Sequence, residues 1–387
     1  MSSKTASIST FRFDQMASLI YDRVDNPAES GVERYVGLEH LDADSLRIRR
    51  WGEITDVEST KLRFQPGDII FGKRRVYQRK LAVADFEGIC SAHAMVLRAK
   101  ANVVLPGFLP FFMQSDRFME RALAISVGSL SPTINWTTLA AEEFALPPIE
   151  EQLRIVLVMN TLERLIDSLV DSVDRGYQCY QAVLRDSFPA TGAMVTSGTL
   201  CPFITSGSRG WAKYYSASGA TFFRITNMRR RSIRPDWVAV KFVAAPTDGE
   251  AERTRACTDD VLISVTADVG MVTLVTGDFP VSHVNQHIAI LRPDPEKVCP
   301  QFLAYFLASE FGEQQFRRFN DHGAKAGLNL QNLAALAIPA VPLEDQRMVV
   351  RRVRALDEAR DAVVVRLEHT RSLRKRVLGA AIVERLR

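Results

Sequence analysis

The segment Pro148-Ile-Glu-Glu-Gln152 returns as Pro342-Leu-Glu-Asp-Gln346, 194 residues further on in a chain of 387. A repeat whose period is half the chain is a duplicated domain rather than a short solenoid unit, so one architecture has to be built twice. The duplication continues upstream in the same order. Ile89-Cys-Ser-Ala-His93-Ala-Met-Val-Leu-Arg98 faces His283-Val-Asn-Gln-His287-Ile-Ala-Ile-Leu-Arg292, with His93 and His287 at the same displacement. Gly67-Asp68-Ile-Ile70 faces Asp259-Asp260-Val-Leu262 slightly out of register, and Tyr35-Val-Gly-Leu38 faces Phe222-Phe-Arg-Ile225.

Each copy ends in a long helical pattern. Leu162, Ile166, Leu169, Val173, Tyr177, Tyr180, Leu184 and Phe188 recur at steps of three or four residues, the spacing of a coiled-coil seam. Pro147-Pro148 can start this helix, Glu150 and Glu151 suit the positive end of its dipole, and Pro189 with Gly192 stop it. About 38 residues at 1.5 Å each make a rod of roughly 57 Å. The second copy shows Val349, Val353, Leu356, Val363, Leu367, Leu373 and Val377, opposite a basic face. A narrow seam needs a partner, and the other copy has matching length, so an antiparallel pair relating the halves by an approximate two-fold axis is expected. The alternative is that each helix packs only into the core of its own domain.

Between the helices the pattern is mixed α/β. Asp68–Phe71, Ala94–Leu97, Val261–Val265 and His287–Leu291 are expected strands, and helices are expected over Gly107–Ala124 and Pro300–Phe319. The fold class is therefore α+β, with two mixed α/β regions separated by two long helices forming an antiparallel coiled coil with internal pseudo-two-fold symmetry. The expected segments are residues 1–147, 148–190, 191–341 and 342–387. A hydrophobic content of 47% with 24% charged residues suits folded cores. No apolar run is long enough to span a bilayer, and Met1–Ser7 has no apolar signal core. Five scattered cysteines without a Cys-x-x-Cys pair suit a reducing cytoplasm and offer no metal cage.

A net charge of +4 excludes a generic polycation, but the basic residues are clustered. The groups are Arg47, Arg49 and Arg50; Lys73, Arg74, Arg75, Arg79 and Lys80; Arg229, Arg230, Arg231 and Arg234; and Arg317 with Arg318. Trp51, Tyr77, Gln78, Trp211 and Tyr214 lie near them in sequence. Such patches neutralise phosphates and reach base edges, although a solvated basic face gives the same pattern.

Catalytic equipment is sparse. The chain has no phosphate-binding Gly-Lys-Ser/Thr loop, no dinucleotide-binding glycine motif, no nucleophile elbow and no Asn-Pro-Pro-Tyr loop. Asp294-Pro-Glu296-Lys297 is too compressed for a nuclease metal site and is read as a turn. Asp357-Glu-Ala-Arg360 is read as a helix face. His283 and His287 have a metal-like spacing but no third ligand, and the recurrence of His93 at His287 favours structural hydrogen bonding.

These residues resemble the specificity subunits of type I restriction-modification systems, in which a Pro-Leu-Glu-Glu-Gln-like helix start follows each of two target-recognition domains. The matching segments are Ala145–Val156 and Ile338–Val350, with further similarity in Ser206-Gly-Ser-Arg-Gly-Trp211-Ala-Lys-Tyr-Tyr215, Phe222–Asn227 and Tyr35–Leu41. The first copy begins Ser9-Thr-Phe-Arg-Phe-Asp14 and lacks the Ser-Gly-Ser-x-x-Trp segment, so base-reading positions do not transfer between halves.

The resemblance implies a non-catalytic chain that binds a bipartite, asymmetric sequence in double-stranded DNA, one half-site per domain, with the helices as spacer. It implies two methyltransferase subunits using S-adenosylmethionine, and restriction/translocase subunits using ATP and Mg²⁺, with no cofactor, metal or catalytic residue in this chain. Expected DNA contacts are Lys73, Arg74, Arg75, Gln78, Arg79 and Lys80 in the first domain. In the second they are Arg209, Trp211, Lys213, Tyr214, Arg229, Arg230 and Arg231. Expected subunit-docking residues are Glu150, Glu151, Gln152, Glu344, Asp345 and Gln346. The alternatives are the specificity subunit of a two-subunit restriction-modification system, or a coiled-coil scaffold that binds only proteins.

Overall fold

The computed structural model describes residues 9–188, 192–321 and 327–383; Met1–Ser7 and Pro189 lie outside the described residues. The chain forms two compact units, residues 1–168 with 366–387, and residues 169–365. Each unit takes a piece of both long helices, Ile149–Ser187 and Leu343–Val383.

In the first unit a four-stranded sheet runs in the order Ala17–Ile20, Ala94–Ala99, Ile69–Gly72, Leu81–Val83. The second unit repeats it with Phe203–Ser206, Ile288–Arg292, Val261–Ser264 and Val272–Leu274. A five-stranded sheet accompanies each, and in each a single parallel pairing interrupts antiparallel ones: Arg34–Val36 beside Gly88–Ser91, and Ala220–Phe223 beside Ser282–Val284. A two-stranded ribbon closes each unit, Ser9–Arg12 with Glu143–Leu146 and Met194–Thr196 with Ala337–Pro339. The sequence matches are thus matches of sheet position.

The aspartates of the Gly67-Asp68 and Asp259-Asp260 repeats explain part of that equivalence. Gly67 and Asp259 both adopt left-handed backbone, φ 90° and 72°, in the turn that enters the central strand. Behind each turn a buried carboxylate takes an arginine from the neighbouring strand: Arg98 Nε donates to Asp68 at 2.7 Å, and Arg292 Nε to Asp260 at 2.8 Å, each with a second bond from Nη2 at 2.9 Å. The same carboxylates accept the backbone N–H of Gln65 and Cys257. Asp260→Asn keeps the shape but loses the charge-assisted pair, and is expected to cost the second unit about 1–3 kcal/mol. Urea unfolding should show this as a lower midpoint at unchanged slope; an unchanged midpoint would remove the carboxylate from the account of the repeat.

Both expected single helices are broken. Leu109–Gln114 and Asp116–Ala124 are separated at Ser115, which has extended backbone, and Pro300–Leu307 and Glu310–Asp321 are separated around Ser309. Each serine hydroxyl donates to the carbonyl three residues back, Phe112 at 2.6 Å and Phe306 at 2.5 Å. A side chain that takes the carbonyl of the preceding turn competes with helix propagation.

The long helices pair antiparallel. In the first unit Glu163 meets Arg374, and in the second Tyr180 meets Arg360, so the partner's number falls as the helix advances. The central seam is as expected, with Ile166, Leu169, Tyr180, Leu184 and Phe188 buried. The distal seam differs. Leu373 is exposed, and Val350, Val353, Asp357, Arg360, Leu367, Thr370, Arg374, Leu378 and Ile382 are buried along it. Two arginines occupy seam positions because each has an acidic or aromatic partner on the other helix. The helices also enter the domain cores, Leu378 and Ile382 beside Phe108 and Phe112, and Leu184 and Phe188 beside Phe302 and Phe306. Helix pairing and core packing are therefore one arrangement rather than alternatives.

Candidate nucleic-acid interface

The repeated glutamine has a specific task. Gln152 is 1% exposed; its Oε1 accepts the N–H of Leu105 at 2.9 Å and its Nε2 donates to the carbonyl of Pro147 at 2.9 Å. Gln346 is 3% exposed and repeats the pattern with the N–H of Cys299 and the carbonyl of Val341, both at 2.7 Å. One amide thus ties the helix start to the strand before it and to a loop 47 residues upstream. Each amide spends one donor and one acceptor inside its own unit, so burial and these two bonds give Gln152 and Gln346 a structural task at the helix start. Glu150, Glu344 and Asp345 are exposed, and Glu151 pairs with Arg154.

In the first unit the basic group lies on the hairpin connection between Ile69–Gly72 and Leu81–Val83. Arg75 and Arg79 flank a short turn at Val76–Gln78 with left-handed backbone, φ 56° and 52°. Such backbone costs roughly 1–2 kcal/mol per residue and persists only where surroundings hold it. Arg79 supplies the hold: it is ion-paired to Asp44 at 2.6 Å and Asp116 at 3.0 Å and donates to the carbonyl of Gln114. Lys80 donates to the carbonyl of Leu38 at 2.6 Å. Arg79 and Lys80 therefore brace the loop from within. Lys73 forms no ion pair among the described residues, Arg74 reaches His93, Arg75 reaches Ser131, and Tyr77 is exposed. Gln78 is half-buried beside them.

In the second unit Arg209 and Lys213 are exposed on the loop after Phe203–Ser206. The loop needs Gly207, where a Cβ would stand 2.1 Å from the carbonyl oxygen of Val284. Trp211 is 5% exposed and packs between Phe222, His283 and Tyr214, so the ring forms a small core beneath the loop. Arg229 pairs with Asp236, Arg230 with Asp268 and Arg231 with Asp174. Their charge is partly compensated before any ligand arrives. The Arg47–Arg50 group is likewise paired, Arg47 and Arg49 to Asp167 and Arg50 to Asp42.

Other candidate chemistry separates. His283 is buried against Trp211 and Thr254, whereas His287 bonds Thr266 and Gln286, so the two share no ligand. Among the described residues no group of three or more His, Cys, Asp or Glu side chains is placed to hold a metal. Asp294 is held below the usual carboxylate range by Lys297 at 3.1 Å, within the turn expected there. Burial pushes the Cys90 and Cys201 thiols up to about 12, which makes them poor nucleophiles.

Comparison with known proteins decides the family. A family model described as the type I restriction modification DNA specificity domain matches residues 51–170 and again 249–364, over half of the chain. The chain belongs to this family. The second match starts in the second unit, so the duplicated frame is the specificity domain written twice. A putative type I restriction enzyme MjaX specificity subunit from Methanocaldococcus jannaschii is 20% identical over 377 residues, covering 90% of this chain and 86% of the relative. The EcoDI specificity subunit from Escherichia coli is 27% identical over 186 residues, covering 46% and 41%. Among solved structures, the S subunit of the type I system from M. genitalium aligns with a TM-score of 0.59 at 14% identity, covering 99% of this chain and 98% of that one.

Each unit carries one copy of the type I restriction modification DNA specificity domain. Among the described residues no helix is long and apolar enough to cross a membrane.

Proposed function

We propose that each domain reads one half of a bipartite, asymmetric duplex sequence, with the paired helices setting the unspecified gap, and that the chain does no chemistry itself. Methylation of adenine with S-adenosylmethionine falls to two methyltransferase subunits, and cleavage with ATP and Mg²⁺ to restriction/translocase subunits. One observation carries the reading: a single frame is built twice with its solvent-accessible basic groups in non-equivalent places. Lys73 and Arg75 lie on a hairpin connection of the first domain, Arg209 and Lys213 on a different loop of the second. One frame with two surfaces suits two different half-sites. The phosphate-contact set we propose is Lys73, Arg75, Arg209 and Lys213, with Gln78, Tyr214, Arg229, Arg230 and Arg231 beside it, and Arg79 and Lys80 as braces.

Glu150, Glu344 and Asp345 stay as proposed docking residues. Ile149, Leu153, Leu157 and Val158 form an exposed apolar row beside Glu150; in the distal helix Leu343 matches Ile149, but the positions of Leu153, Leu157 and Val158 carry Arg347, Arg351 and Arg352. The two docking surfaces therefore differ in chemistry, and the two methyltransferase subunits would be held unequally.

Adenine methylation mapped genome-wide with and without the gene tests the reading. Loss of one bipartite motif on deletion is the expected result, and an unchanged set of motifs in an active system sinks it. Lys73→Ala and Arg75→Ala are expected to weaken binding about equally for all sequences. Each phosphate contact removed should make the salt dependence shallower by about 0.9 in log K against log salt.

A further inference from the structure

One position in each domain is built to the same plan and filled with different chemistry. In the first domain the chain leaves Ile69–Gly72, and the N–H of Lys73 donates to the carbonyl of His93 at 3.1 Å. In the second it leaves Val261–Ser264, and the N–H of Val265 donates to the carbonyl of His287 at 2.9 Å. The returning chain caps both: Ile134 N–H on the carbonyl of Lys73 at 3.0 Å, Leu328 N–H on that of Val265 at 2.9 Å. Four backbone bonds thus define an equivalent pair of sites. The next residue in each, Arg74 or Thr266, reaches the histidine ring.

The side chains then diverge. Arg74 Nη1 lies 3.3 Å from His93 Nε2. Partial burial and the charges of Arg74, Lys73 and Lys61 lower the His93 pKa, so the ring is a neutral acceptor for that guanidinium. No other hydrogen bond or ion pair holds the half-buried Arg74 side chain among the described residues, which leaves its remaining N–H donors unpaired on a fixed base. In the second domain Thr266 Oγ1 stands 2.6 Å from His287 Nδ1, and Gln286 Nε2 stands 2.9 Å from His287 Nε2. If the amide donates to Nε2, Nδ1–H donates to the threonine, and Gln286 keeps one N–H donor and its Oε1 acceptor unused. Its backbone is fixed as well, with N–H on the carbonyl of Ser208 at 3.2 Å.

A donor pair matches O6 and N7 of guanine in the major groove, and a donor with an acceptor matches N7 and the amino group of adenine. We propose that these sites are the base-reading heads of the two domains: Arg74, seated on His93, selects a guanine in one half-site, and Gln286, seated on His287 and Thr266, selects an adenine in the other. The assignment rests on the DNA-reading function proposed above. His93 and His287 are positioning residues, which explains why the histidine recurs while its neighbours do not.

The test uses the complex of this chain with its methyltransferase subunits and a duplex library randomised over both half-sites, selected by binding and sequenced. Wild type is expected to recover a bipartite motif. Arg74→Lys keeps the charge but not the fork, so it should relax one G·C pair of one half-site by roughly 5- to 150-fold, lowering affinity for the wild-type site by that factor and leaving affinity for sites changed at that pair close to wild type. Gln286→Ala should relax one A·T pair of the other half-site by a similar factor. Both residues are partly exposed, and thermal unfolding of each variant should match wild type. A uniform loss for all sequences with the motif intact would make Arg74 a phosphate contact and overturn the proposal, as would two unchanged motifs. A wild-type complex that selects no bipartite motif overturns the underlying DNA reading, and this inference with it.

Discussion

Asp357→Ala is expected to destabilise the second unit by about 3–5 kcal/mol. Asp357 is 1% exposed and sits where three groups depend on it. Arg360, also buried, donates to it at 2.9 Å; the Tyr305 hydroxyl approaches at 3.3 Å and Arg234 at 3.4 Å. Tyr180 lies beside them with Arg360 over its ring at 4.4 Å, and burial followed by the Asp357 charge pushes the Tyr180 hydroxyl well up, so it stays protonated. Removing the carboxylate leaves a buried guanidinium whose Nη1 already has no partner, and a phenol without an acceptor. Breaking a buried pair from one side costs more than the pair is worth, because the remaining charge is stranded. Asp357→Asn should lose less, since its oxygen still accepts from Tyr305. Denaturant unfolding of both variants decides the matter: an Asp357→Ala midpoint equal to wild type would mean that water reaches Arg360.

The same seam position in the first unit is Glu163, and it solves the same problem differently. Arg374 crosses from the distal helix to Glu163 and to Gln114. Hydrophobic periodicity alone could not find this. A stripe search ranks Leu373 above Arg374, because it scores a residue type and not the carboxylate that a partner helix 211 residues away will supply. Leu373 is in fact exposed and Arg374 buried. The central helix, whose seam is apolar or aromatic throughout, was legible for that reason.

Within the domains the strands were legible because short apolar runs are bounded by turns that Gly67 and Asp259 make necessary. The breaks at Ser115 and Ser309 were not, since a serine inside a helical pattern is neutral until its hydroxyl takes the carbonyl behind it. The basic clusters were legible as composition but not as function. Arg79 looks like its neighbours Lys73 and Arg75 in the sequence, yet Asp44 and Asp116 claim it from 35 and 37 residues away. Trp211 looked like a stacking ring because aromatics beside basic residues often are, and the fold buries it under a loop instead. The repeated histidine was visible as a repeat, but only the backbone bonds of Lys73 and Val265 show that its ring seats a different neighbour in each domain.

Gln346→Ala, and Gln152→Ala in the first unit, should each cost about 2–4 kcal/mol, because each strands one buried N–H and one carbonyl at the root of a long helix. A docking residue would behave in the opposite way, losing partner affinity at unchanged stability, so unfolding and subunit titration together separate the two roles. The acidic substitution sharpens the test. Gln346→Glu keeps the size and can still accept from the N–H of Cys299, but an ionised carboxylate cannot donate to the carbonyl of Val341. Burial without a cationic partner raises the pKa of such a carboxyl in the folded state. A raised folded value means that stability is fully present below the unfolded value of about 4.3 and is lost as pH rises through the folded value. Gln346→Glu should therefore approach wild-type stability in acid, where its protonated carboxyl restores the donor, and fall away toward neutral pH. A deficit that does not change between these limits would mean that the loop carrying Cys299 opens to solvate the charge, and that the clamp is not what holds the helix to its domain.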